Sequence, residues 1–201
     1  MIPNLNIQAK CNEFVEYLKK NRSKCLKILQ ATHHIGNSLN EPSDRFFKAE
    51  IIDKAYSTLL NEIHYVDQKG HDFLFRGIRI SHKSAKDAFQ IRNKTTSQLQ
   101  IANTMGNNQG RNAKLQSDFD LLLITRTTSP FAIAVCTHST VANYCHATTD
   151  QIIAQIPFTD LDFVIDITDQ IKFEETPKLN FKKEKDLMVE RVINGLFKNM
   201  P

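Results

Sequence analysis

The chain has 201 residues, 41% of them hydrophobic and 24% charged, with a net charge of +4 and a pI near 8.8. That size and mix describe one globular domain with enough apolar material for a real core, and no apolar run approaches the roughly 20 residues that span a bilayer. Mild basicity permits a polyanionic partner without demanding one. Four cysteines in a chain this long, with no signal-like apolar start, point to reduced thiols in a cytoplasmic protein.

Residues 5–30 read as helix. Phe14, Val15 and Leu18, then Cys25, Leu26, Ile28 and Leu29, recur at three- and four-residue spacings. The pattern predicts two helices broken near Asn21-Arg22-Ser23, with Lys19, Lys20, Arg22 and Lys24 on a solvated face. Turn residues make residues 33–41, including the adjacent His33 and His34, a loop, so residues 1–41 form an N-terminal helical part. A helix follows from Pro42-Ser43-Asp44, where Ser43 caps and Asp44 suits the dipole, to His64. Its stripe is Phe47, Ile51, Ala55, Leu59 and Ile63, with Ile52, Tyr56 and Leu60 beside it.

After a turn at Asp67-Gln-Lys-Gly70 comes a hairpin, Gly70-His-Asp-Phe-Leu-Phe-Arg-Gly-Ile-Arg-Ile-Ser-His-Lys-Ser84. Arg76-Gly77 makes its turn. Asp72, Leu74 and Arg76 share one face of the first arm; Phe73 and Phe75 share the other. On the second arm Arg79, Ser81 and Lys83 point one way, and Ile78, Ile80 and His82 the other, with Ser81 and Lys83 roughly 7 Å apart.

An acidic residue, a tight turn and an acid-x-Lys on a hydrophobic strand are the core of the PD-(D/E)XK nuclease superfamily, and the hairpin resembles it with Ser81 in the second acidic position. The resemblance covers the hairpin and its surroundings. It implies a mixed α/β fold with a restriction-endonuclease-like core, in which a leading helix precedes the hairpin and later strands extend the sheet. It also implies a magnesium ion held by Asp72, with Lys83 orienting the attacking water or stabilising charge. Ser81 leaves the site one negative charge short. Glu50, on the preceding helix, resembles the additional helix glutamate of many members and is the expected second metal ligand; Glu62 and Asp87 are its rivals. The bland reading of Asp72 and Lys83 is a cross-strand ion pair on an exposed hairpin.

Residues 85–117 are rich in amides and cations, with a polar helix expected first and a two-glycine loop after it. Asn and Gln match adenine edges, Arg matches guanine and Lys matches phosphate. This is therefore the candidate DNA-recognition segment, with Arg92, Lys94, Asn107, Asn108, Gln109, Arg111 and Lys114 as candidate contacts. The bland reading is a surface loop.

Strand signals follow at residues 119–124, 131–136 and 162–167, with a helical or irregular stretch at 139–155 and a basic amphipathic helix at 182–198. Cys136, His138, Cys145 and His146 lack the usual spacings of a zinc site. The order of elements predicts a mixed sheet flanked by helices in a single nuclease domain. The expected activity is that of a magnesium-dependent, type II site-specific endonuclease on double-stranded DNA, working as a homodimer. The competing classes are a non-catalytic nucleic-acid-binding domain on a degenerate core, which Ser81 favours, and a repair or RNA nuclease.

Overall fold

The structure, a computed structural model, describes residues 4–38, 45–68, 70–85, 98–102, 119–126, 132–147, 152–157 and 160–166. It opens with helices α1 (Asn4–Lys20) and α2 (Arg22–Ser38). The break between them falls at Asn21, as the sequence predicts. Asn21 closes α1 by donating its backbone N–H and its Nδ2 to the Tyr17 carbonyl, at 3.1 and 2.9 Å. Its own carbonyl then accepts from Lys24 and Cys25, so one residue ends one helix and starts the next. The expected loop at His33-His34 is instead the last part of α2. Once a helix is nucleated, each added residue costs little, and nothing before Pro42 removes a backbone donor.

Helix α3 spans Arg45–Leu59 and stops before the sequence reading had it. Leu60 to Glu62 form a turn, and Ile63 and His64 belong to strand β1 (Ile63–Gln68). Ile63-His-Tyr-Val66 is β-branched and aromatic, and a partner strand is available, so extended backbone wins over the helical stripe. Strands β2 (His71–Phe75) and β3 (Ile78–Ala85) are the two arms of the hairpin. Its two-residue turn has φ of 48° at Arg76 and 79° at Gly77, the left-handed pair that suits the twist of a tight hairpin. Beyond it lie β4 (Gln98–Ala102), β5 (Leu121–Arg126), β6 (Ala132–Thr137), α4 (His138–Tyr144), β7 (Cys145–Ala147), β8 (Ile152–Pro157) and β9 (Phe163–Asp166).

Six strands form one mixed sheet in the order β1-β2-β3-β5-β6-β9. All neighbours are antiparallel except β3 and β5, which run parallel in the register Ile80↔Leu121 to Ala85↔Arg126. A parallel pair needs a crossover, and here residues 86–120 supply it, including β4. The first three helices cover one face. Cys11, Phe14, Leu18, Cys25, Ile28, Leu29, Ile52, Tyr56 and Leu60 bury against Phe73, Phe75, Ile78, Ile80, Leu121, Leu123, Ile133, Val135 and Ile165. Phe75 lies between Phe14 and Tyr17, with ring centres 5.1 and 4.9 Å away. Truncating it to alanine costs about 3–5 kcal/mol.

A second sheet of three strands, β4-β8-β7, is antiparallel throughout. Its strands correct two expectations: β4 lies where a polar helix was expected, and the stretch read as helical or irregular begins as helix α4 but continues as β7 and β8. Alternation puts Ser81, Leu122, Ile124, Ala134 and Cys136 on the face of the large sheet away from the helices, and all are buried. β4 runs beside β3, and α4 packs on β5, β6 and β8, so this face is also covered. Among the described residues no helix is long and apolar enough to cross a membrane. The expected C-terminal helix at 182–198 lies outside the described residues.

Candidate functional site

Strand β3 changes partner half-way along. Its registered pairs with β2 are Phe75↔Ile78, Leu74↔Arg79 and Phe73↔Ile80; from Ile80 onward it pairs with β5 on its other edge. At the residue where β2 leaves, Asp72 fills the vacated edge with its carboxylate. Its Oδ2 accepts from the His82 backbone N–H at 2.5 Å and from the Ser81 hydroxyl at 3.3 Å. Lys83 Nζ stands 3.9 Å from the same oxygen. The structure thus brings together three of the four candidate catalytic side chains. Ser81 is buried, while Asp72 and Lys83 keep 25% and 20% of their side-chain surface exposed, which separates them from a fully exposed hairpin ion pair.

Glu50 is not among them. It sits half-exposed on α3, one turn before Asp53, and pairs with Lys54 at 2.7 Å. Asp53 points to the helix side of the sheet, whereas Ser81 and Lys83 alternate to the other side. Glu62 binds Arg76 at 2.7 Å beside the hairpin turn, where Glu13 holds the same guanidinium. Asp87 and the candidate DNA contacts Arg92, Lys94, Asn107, Asn108, Gln109, Arg111 and Lys114 lie outside the described residues. Cys136 is buried on β6, and His138 opens α4 with its ring 4.8 Å from that of Phe119.

A magnesium ion is commonly held by one or two carboxylates, waters and substrate phosphate. Asp72 meets the smaller requirement: Oδ2 is committed to Ser81 and His82, and Oδ1 makes no hydrogen bond among the described residues. Among those residues no group of three or more His, Cys, Asp or Glu side chains gathers to hold a metal.

Directly behind Ser81 and Lys83 the sequence reading missed a buried polar chain. His82 Nδ1 lies 2.5 Å from Asp53 Oδ1, His82 Nε2 lies 2.8 Å from Thr125 Oγ1, and that oxygen lies 2.6 Å from the Tyr56 hydroxyl. A carboxylate only accepts, so one direction of donation satisfies every partner: Tyr56 to Thr125, Thr125 to Nε2, Nδ1–H to Asp53. Phe73 and Tyr56 flank the imidazole, with ring centres 5.7 and 5.2 Å away. Burial pushes the Tyr56 phenol well above its ordinary pKa, against the opposing effect of its hydrogen bond with Thr125. Carboxylate, imidazole and hydroxyl in this order also activate nucleophiles, but Thr125 is wholly buried and no substrate reaches it. The signal in the sequence was His82 itself, a polar residue alternating with Ile78 and Ile80 on the apolar face.

Comparison with protein-family models, with curated proteins and with solved structures found no match to this chain.

Proposed function

We propose that this chain is a magnesium-dependent endonuclease of the PD-(D/E)XK type, a type II site-specific restriction enzyme that acts on double-stranded DNA as a two-fold dimer. The observation that carries the reading is the meeting of Asp72, Ser81 and Lys83 where β2 departs from β3. The element order supports it: helices precede the hairpin, and β5, β6 and β9 extend the sheet beyond it. Two-fold symmetry follows if the target is a palindrome.

Asp72 Oδ1 offers the metal ligand, and the Ser81 hydroxyl and His82 N–H fix the carboxylate's orientation through Oδ2. When bound, magnesium polarises the phosphoryl oxygen, lowers the pKa of a coordinated water and steadies the leaving oxygen. Lys83 brings three donors and a positive charge beside Asp72, placed to hold the attacking water or a phosphate oxygen. In the sequence the amide-rich segment 85–117 follows directly on Lys83's own strand, and it is the segment proposed to meet the DNA. Its seven candidate contacts would read bases and phosphates there.

The test is plasmid cleavage with magnesium, run beside Asp72→Ala and Lys83→Ala. Discrete bands from the parent and none from either variant are expected; a smear would mark a repair-type nuclease. Cutting that both variants retain removes the site from consideration. A second reading, a non-catalytic nucleic-acid-binding domain, is favoured by one observation: the hydroxyl of Ser81 stands where the family has an acid, and Asp72 faces Lys83 instead. Duplex binding by a parent that cuts no duplex would select it.

A further inference from the structure

We infer that Asp53, acting through His82, is a positioning residue for the Asp72–Lys83 centre. This inference rests on the nuclease reading.

His82 is held at three points. Its backbone N–H donates to Asp72 Oδ2, Nδ1 binds Asp53 of α3, and Nε2 binds Thr125 of β5. The registered pairs between β2 and β3 end at Phe73↔Ile80, so beyond them the Asp72 carboxylate stands where a neighbouring strand would have been. Whatever fixes the turn of the peptide at residue 82 about the strand axis therefore fixes the N–H that holds Asp72. The ring anchors are what fix it, from the reverse side of the sheet. Ser81 and Lys83 flank that residue on the same strand, so a rotation at residue 82 displaces both from Asp72.

Energetics point the same way. Asp53 and His82 are both buried, with 11% and 4% of their side-chain surface exposed, and the imidazole packs against the rings of Tyr56 and Phe73. Desolvating a carboxylate and an imidazole gains little over packing apolar side chains in the same space. A fully satisfied polar chain instead selects one arrangement of the groups it joins. Here it joins helix α3 and strand β5 to the residue of β3 that grips Asp72.

The test uses the full chain with Asp53→Ala, Asp53→Asn and Thr125→Val. Two readouts bear on positioning: hydrogen exchange at the His82 amide, and the magnesium concentration giving half-maximal cleavage. Two report general damage: melting temperature and duplex affinity without metal. In Asp53→Ala both positioning readouts rise by about tenfold or more, the usual effect of losing a partner that orients a ligand, while duplex affinity stays within about twofold. Asp53→Asn keeps an oxygen for Nδ1–H and restores most of the loss. Thr125→Val removes one hydroxyl at nearly constant volume and shifts the same readouts by less, which keeps the test readable if Asp53→Ala does not fold.

Unchanged exchange and an unchanged magnesium midpoint in Asp53→Ala and Thr125→Val overturn the inference. So does a parallel loss of melting temperature, duplex affinity and cleavage, the signature of a mere core strut. A parent that cuts nothing, with His82 exchange still accelerated in the variants, defeats the nuclease reading and upholds the link from Asp53 to Asp72. A cutting parent with an unmoved amide does the reverse.

Discussion

Two carboxylates on this sheet sit beside cations and face opposite fates. Asp120 precedes β5 and grips Arg79 from both sides: Oδ2 accepts the Arg79 backbone N–H at 2.9 Å, and Oδ1 accepts from Nη2 at 3.1 Å. Burial raises its pKa, but the hydrogen bonds from Arg79, with the charges of Arg79 and Lys10, outweigh burial and leave the carboxyl below its ordinary value. A lowered folded pKa contributes stability that is present above the unfolded value, about 3.9, and is lost as pH falls through the folded one. Asp120→Ala should therefore cost about 1.5–3 kcal/mol at neutral pH and flatten the acid limb of a urea-midpoint profile. Asp72, by contrast, has one oxygen engaged and one without a hydrogen bond among the described residues. If it holds magnesium, Ser81→Glu supplies the charge the site lacks. Without metal the new carboxylate crowds Asp72 in a buried position and costs about 1–3 kcal/mol. With magnesium the variant should gain more in melting temperature than the parent does, because an ion that binds only the folded state adds to its stability. Equal melting curves with and without magnesium, for both proteins, would count against Asp72 as a metal ligand.

At the scale of elements, the hairpin was the most legible part of the sequence. Strict alternation from Asp72 to Lys83 fixed which side chains face the helices, and Arg76-Gly77 marked the turn. Each follows from a local rule, period two for a strand and positive φ for a tight turn, and needs no knowledge of the rest of the chain. The turn can be tested by Gly77→Ala. A Cβ there meets nothing within 4 Å, so any loss comes from the backbone at φ +79° and not from a clash. The expected loss is about 1–2 kcal/mol by urea denaturation. Asp72 lies just past the last registered pair of the hairpin, Phe73↔Ile80, so on the nuclease reading cleavage should fall with it. Elements whose state depends on partners read less well. Ile63 and His64 continue a helical stripe in the sequence but become β1, because β2 offers them a pairing edge. Gln98-Leu-Gln-Ile-Ala102 falls in the stretch expected as a polar helix and becomes β4 only against β8. Glu50 is expected at the site only by resemblance, and its place on the preceding helix does not say which side of the sheet that helix covers. The buried chain through His82 failed to register for a related reason: Asp53 and Thr125 lie 29 residues before His82 and 43 residues after it, and no period in the sequence connects them.

Across the whole molecule, one apolar cluster unites α1, α2, α3 and the large sheet, and two of its members report on it chemically. Cys11 and Cys25 are buried free thiols whose pKa is pushed up to about 12, in both by burial first. The charge of Asp162 adds to the rise at Cys11, whereas Arg22 opposes it at Cys25. A thiol held neutral and away from solvent does not react as a nucleophile. A brief alkylation pulse on the native chain should therefore leave both unmodified. Because they belong to one cluster, their labelling against urea should follow a single transition that coincides with loss of helical circular dichroism. Labelling of Cys25 well before Cys11 would show instead that α2 opens as a separate unit. The raised values also set the alkaline limb. A thiol with a raised folded pKa contributes stability that is intact below the free-thiol value of about 8.5 and is lost as pH climbs from there toward the folded value. The urea midpoint should hold through neutral pH and decline above that point, and Cys25→Ala should shallow the decline while lowering the plateau through the cavity it leaves. A midpoint that falls equally steeply in Cys25→Ala, Cys11→Ala and the parent would place the alkaline limb elsewhere, on the tyrosines, of which Tyr56 is the most deeply buried.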